Sequence, residues 1–333
     1  MNLFRAELHR FARRRLSLLF GVLAVGGLLF VTLVMWFNSS TGPSEADLAQ
    51  AQREADEESR QYEQCVADER YLEANGYGPV AEDPLYEDMT REQLCEQFFW
   101  ADAQAEDFIY VYTFQFDQEG LMLVAGVGIV TGLLVMLLAA SAIGAEWSSG
   151  GMANLLVWHP ARMRVWGAKL SAAAVTCAAA VVVMLVLSFA LLYMTAAARG
   201  DVGTLDSSWW EGALAKLART LVLTIAMTVS GSSLAMLGRH TAIAGGVIAG
   251  YLVIGDLLVR LTGIALRFEF PERFSLYTWV SAWIQGKLTL HDWSTPVERT
   301  MTITATDAGL LLGGIVVVIG ALASVAFAKR DAT

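Results

Sequence analysis

Charge is what this chain has least of. Of its 333 residues only 17% are charged, while 55% are apolar; an ordinary soluble domain carries about 25% charged residues. The charge is missing from long blocks and gathered between them, which excludes a single soluble domain and is the pattern of a chain that crosses a bilayer several times. Histidine is scarce and scattered: His9, His159, His240 and His291 share no metal-ligand spacing. No glycine loop ends in Lys-Ser/Thr, so ATP binding in the P-loop manner is excluded, and there is no nucleophile elbow. Catalysis by this chain alone is therefore not expected. A basic domain face is also missing. Residues 38–119 hold 21 acids and 4 bases, against 12 acids and 19 bases elsewhere, so the net charge of -10 hides two opposite halves. A nucleic-acid partner, which needs a basic face, is excluded.

The uncharged blocks number six, each near the 20 or so residues that a span needs. They run over 16–37, 120–145, 170–198, the stretch between Arg219 and Arg239, 241 to about 259 with Asp256 interrupting it, and 308–328. The first follows the basic cluster Arg13, Arg14, Arg15, as a signal peptide would, but signal cores are only about 7–15 residues long. It reads as a retained span. The fold class is thus an all-α polytopic membrane protein with six transmembrane helices.

Six spans put both termini on one side. The segments 1–15, 146–169, 239–240 and 329–333 hold 11 Lys/Arg in 46 residues, while 38–119, 199–219 and 260–307 hold 12 in 151. By the positive-inside rule the first set is cytoplasmic. Cysteine, with only three residues, adds an independent argument. Cys177 sits in an apolar run and reads as a small packing residue. Cys65 and Cys95 both fall in the acidic segment, which the charge rule places outside, where a disulfide persists. Closing a loop of about 30 residues would contribute about 3–4 kcal/mol.

Each segment between spans has its own character. Residues 1–15 place Leu3, Phe4, Leu8, Phe11 and Ala12 at helical spacing, with Arg5, Arg10, Arg13 and Arg14 largely opposite. That describes an amphipathic elbow helix on the inner leaflet, or a topology signal, and the two are compatible. Residues 38–119 form an acidic, helical extracytoplasmic domain. Ser44 to about Ala74 lacks Gly and Pro and reads as one helix, ended by Asn75-Gly76-Tyr77-Gly78-Pro79. A second helix starts with a capping box at Thr90 and Gln93 and is expected to run through Phe98, Phe99 and Trp100 toward the second span. The acids lack calcium-loop spacing and read as a solvated surface. Residues 264–305 are rich in aromatics, among them Phe268, Phe270, Phe274, Tyr277, Trp279, Trp283 and Trp293. Phe274 to Ile284 is too short to span and reads as an interfacial or re-entrant helix before span six, either an anchor or a lid.

Two features inside the spans bear on function. Asp256 lies late in the fifth span with Arg260 one turn on. An intramembrane acid is a candidate ion site, but an i,i+4 ion pair explains it as well. Small residues such as Gly231, Ser232, Ser233, Gly245, Gly246 and Gly250 suit helix packing or a substrate path.

The segment 146–166, between the second and third spans, is the most specific. Glu146 and Trp147 leave the second span, Gly150 and Gly151 permit a reversal, Met152–Trp158 can form a short helix, and Pro160 ends it. Leu155, Leu156, Arg162 and Lys169 complete the order. This order resembles the permeases of the ABC-2 transporter family, whose pattern is a small residue, Glu-aromatic, a Ser-Gly turn, a leucine pair, Pro-x-Arg and a Lys before the next span. Gly144, Glu146, Trp147, Gly150, Leu155, Leu156, Pro160, Arg162 and Lys169 occupy those positions, and the start Ala6-Glu7-Leu8 is also similar. The resemblance implies the membrane-spanning subunit of a type-2 ABC exporter. Residues 145–160 would then be the coupling helix, docked on a separate ATPase subunit that holds ATP and Mg, with a second permease chain completing the unit. The cargo expected is a hydrophobic or amphipathic compound, lipid or peptide, and this chain binds no cofactor itself. Asp256 would favour an ion-coupled secondary transporter instead. The acidic domain would suit a membrane-anchored sensor or assembly protein.

Overall fold

The computed structural model describes residues 3–77, 86, 89–292 and 299–329. Within them six helices are long and apolar enough to cross a membrane. They are α2 (Arg15–Asn38), α6 (Leu121–Ser148, entered through a π-helical turn at Phe116–Gly120), α8 (Arg162–Arg199), α9 (Ser207–Gly238), α10–α11 (Thr241–Gly250 and Asp256–Ala265, joined by a π-helical turn) and α13 (Ala305–Lys329). The first is Leu-, Val- and Phe-rich all round and buries only Ala24 and Leu28. Leu18, Phe30 and Phe37 stay bare in the isolated chain, which is stable only in an apolar solvent. The chain is therefore a polytopic helical membrane protein.

The chain divides into two units. The larger holds residues 1–35, 115–197 and 202–333. Its centre is the packing of α6 on α9, where small residues let the backbones approach. A Cβ on Gly132 would stand 2.3 Å from Thr224 Cγ2. Cys177 is buried beside them, its Sγ 3.5 Å from the Thr224 carbonyl. The smaller unit holds residues 36–114 and 198–201. In it α3 (Glu45–Ala67) starts at a capping box in which Ser44 and Asp47 bond reciprocally. The Ser44 hydroxyl, and after it the Ser44 backbone N–H, hold the Asp47 carboxyl below its ordinary range.

The expected single helix from Ser44 to Ala74 is interrupted. α3 stops at Ala67, and only a turn, α4 (Tyr71–Ala74), follows. The cause is Arg91, which donates to the carbonyls of Val66, Cys65 and Asp68 and so satisfies the carbonyls that a continued helix would use. The capping box at Thr90 and Gln93 is present, but its helix, α5 (Arg91–Glu96), does not run on. Phe98 and Phe99 turn back onto Tyr77 and Tyr71, because burying those rings contributes more than extending a helix by one turn. Cys65 and Cys95 form the disulfide, fully buried among Leu72, Leu94 and Phe99. Gly76 has a positive φ of 88°, while Gly78 and Pro79 lie outside the described residues.

The aromatic segment before the last helix is more elaborate than a lone interfacial helix. α12 (Leu276–Gln285) is indeed too short to span, but two antiparallel strands follow, β1 (Lys287–Asp292) and β2 (Arg299–Thr304), in register from Lys287 against Thr304 to Asp292 against Arg299. Leu290 and Ile303 bury one face of this hairpin against Phe270, Ala282 and Ala308. The period-two alternation of Arg299-Thr-Met-Thr-Ile-Thr304 is the signal for it. Trp293, and Arg330 in the tail 329–333, lie outside the described residues.

Candidate functional site

The segment 146–166 folds as a reversal followed by a short helix. α6 ends at Ser148, Gly150 adopts a left-handed φ of 69°, and α7 runs over Gly151–Trp158. Glycine takes that φ without the backbone strain that a side chain brings there. The His159 N–H closes α7 on the Leu155 carbonyl, and Pro160 stands before α8.

One face of α7 is anchored. Met152 and Leu156 are buried with Ile143, Val165, Trp166, Met236 and Phe327, and Leu155 packs at the edge of that cluster. Trp147 lies beside it. Its ring meets Phe327 edge-on at 6.2 Å and carries the Arg239 guanidinium at 4.8 Å, and its indole N–H points at Met236 Sδ, 3.2 Å away. Arg162 reaches the Phe327 carbonyl at 3.5 Å. The other face is bare: Val157 is 78% and Trp158 77% exposed, followed by exposed His159 and Pro160.

Glu146 and Lys169 face each other. Lys169 Nζ lies 2.6 Å from Glu146 Oε2, an ion-pair contact short of good hydrogen-bond alignment, and 2.9 Å from Glu7 Oε1, to which it donates. Arg10 approaches Glu7 and Glu146 at 3.5 Å each. Lys169 and Glu7 are almost wholly buried, and Arg10 is mostly exposed. The network ties α1 (Leu3–Ala12), the end of α6 and the start of α8 into one corner. Glu7 escaped the sequence reading as a site residue. It sits on the stripe Leu3, Glu7, Phe11 at i, i+4, i+8, and an acid in the middle of an apolar stripe is the signal of an inward-facing partner. Phe11 packs on Leu138, Ala139, Ala142 and Ala173, so the apolar face of α1 is spent on α6 and α8.

The corner is braced from the far side by α10. Gly144 packs so closely that a Cβ would stand 2.5 Å from the Thr241 backbone nitrogen and 2.7 Å from its Cα. Backbone cannot rotate aside as a side chain does, so Gly144→Ala is expected to cost about 1–3 kcal/mol, read as a lower melting temperature in detergent.

Asp256 and Arg260 form the expected i,i+4 pair, Nε to Oδ2 at 2.9 Å, and the Ser275 hydroxyl donates to the other carboxylate oxygen. Among the described residues no group of three His, Cys, Asp or Glu is placed to hold a metal ion. Comparisons with protein-family models, with curated proteins and with solved structures each find no match.

Proposed function

We propose that this chain is the membrane-spanning subunit of an ATP-driven transporter of the ABC-2 type, exporting a hydrophobic or amphipathic cargo. The observation that carries the reading is α7, a short helix fixed on one face and bare on the other. Met152 and Leu156 hold it to the ends of the long helices, while Val157 and Trp158 are presented outward on a rigid base. Exposed aromatic and aliphatic anchors of this kind suit a groove in a partner. In this reading the partner is a separate ATPase subunit that holds ATP and Mg, and α7 is the coupling helix. A movement of the groove would pass through α7 to Ile143, Val165 and Met236, hence to α6, α8 and α9 together.

The reading places both termini, α1 and α7 in the cytoplasm and residues 38–119 outside, with α1 as the elbow helix and α12 with its hairpin at the outer surface. A second copy, or a related chain, completes the permease. Glu146 and Lys169 take a role different from direct contact with the ATPase: they hold the corner from which α7 projects. The ion-coupled alternative loses support from the pairing of Asp256, whose two oxygens are both engaged.

The test uses the chain purified from its native membranes. An ATP-hydrolysing subunit is expected to accompany it, and Val157→Glu with Trp158→Glu is expected to weaken that association at least tenfold or so. Both side chains are exposed, so the melting temperature should hold. Undiminished association in the double variant would overturn the docking assignment.

A further inference from the structure

A groove of about 750 Å³ runs beside α6, α9, α10–α11, α12 and α13. Most of its wall is apolar, with Leu223, Met227, Leu252 and Ile319 among its residues, but Ser230, Tyr251, Asp256, Arg260 and Tyr277 also line it. Its size lies within the range of ligand pockets, about 300–1,000 Å³.

The polar groups are unequal in what they have left to offer. Each oxygen of Asp256 already accepts one bond, one from Arg260 Nε and the other from the Ser275 hydroxyl. The Tyr251 hydroxyl accepts from the Leu276 N–H at 2.8 Å, which leaves its own proton to donate. Arg260 has five N–H donors and spends its Nε on Asp256. Among the described residues its Nη nitrogens have no hydrogen-bond partner, and the side chain is 37% exposed. The polar part of the groove therefore holds unspent donors on Arg260 and Tyr251. A crevice meant only for hydrocarbon would need neither.

We propose that this groove binds a membrane-partitioned amphiphile with an anionic head, of the carboxylate or phosphate class. The head accepts hydrogen bonds from Arg260 Nη and the Tyr251 hydroxyl, and the tail lies along Leu252, Met227 and Ile319. Asp256 orients the guanidinium through Nε and leaves its terminal nitrogens to the ligand. A cationic head would face the Arg260 guanidinium, and a neutral one forgoes the charge-assisted bond.

The proposal concerns binding to this chain alone, so its outcome and that of the ATPase docking test are independent. The full chain is placed in nanodiscs of zwitterionic lipid and titrated with dansyl-labelled undecanoic acid, and with the alcohol and the amine of the same chain. The acid is expected to bind saturably and at least about tenfold more tightly than the alcohol. Arg260→Gln should erase that preference and Arg260→Lys retain part of it. Ala226→Phe, which fills the wall, should weaken acid and alcohol alike. If Arg260→Gln fails to fold, the acid-over-alcohol preference of the parent chain together with the Ala226→Phe loss decides. Equal binding of the three probes, tightest binding of the amine, a preference that survives Arg260→Gln, or indifference to Ala226→Phe would overturn the proposal.

Discussion

Lys169→Met is expected to destabilise the larger unit by about 3–5 kcal/mol, because it leaves two carboxylates without the buried cation they share. Lys169 is 2% exposed, Glu7 4% and Glu146 16%. Removing the ammonium leaves Glu7 and Glu146 facing each other in a corner that water scarcely reaches. Arg10 cannot take over, since it is 62% exposed and its charge is screened by solvent. Arg10→Ala should accordingly cost no more than about 1 kcal/mol. The measurement is thermal unfolding in detergent, followed for both variants beside the parent chain.

A third variant separates a true network from plain overpacking. Glu7→Gln combined with Lys169→Met removes one buried negative charge along with the cation. It should lose less stability than the sum of the two single changes, since the residues share one partner set. Strict additivity, or a Lys169→Met chain that melts with the parent, would mean that the corner is held by packing alone.

The long helices were legible because their cause is local. An uninterrupted apolar run with no charge needs no knowledge of the rest of the fold, and the run 16–37 nearly coincides with α2 at Arg15–Asn38. α7 was legible for a similar reason: glycines, a short apolar run and Pro160 follow one another within about a dozen residues of sequence. Where distant residues decide, the sequence is mute. α8 begins at Arg162, well before the expected span start at Leu170, because Val165, Trp166 and Lys169 are turned inward by α13, α9 and α1 rather than left at a membrane surface. α3 ends at Ala67 because Arg91, 24 residues further on, takes its carbonyls. Glu7 and Glu146 are 139 residues apart and become partners only once Lys169 stands between them. The hairpin of β1 and β2 is the exception. Its period-two alternation is local, but it is short and lies beside the stronger aromatic signal of α12.

The disulfide links these two scales and sets the second large effect. Replacing Cys65 and Cys95 with Ala is expected to cost the smaller unit about 3–4 kcal/mol on the chain-entropy account, for a bridge with a sequence separation of 30. Both cysteines are completely buried in a cluster whose other buried members are Leu72, Leu94 and Phe99. That core is small, so little else offsets the entropy released. Alanine at both positions leaves no buried polar atom, so the loss can be read as the bridge itself together with a small cavity. The Arg91 bonds to Cys65 and Val66 carbonyls should loosen with it, since they depend on α5 lying against the end of α3. Limited proteolysis is the sensitive measurement: cleavage between residues 68 and 91 should rise sharply in the double variant or after reduction. The long helices of the larger unit should resist as before. If the variant resists cleavage as well as the parent chain does, the aromatic contacts of Tyr71 and Tyr77 with Phe98 and Phe99 hold the unit without the bridge.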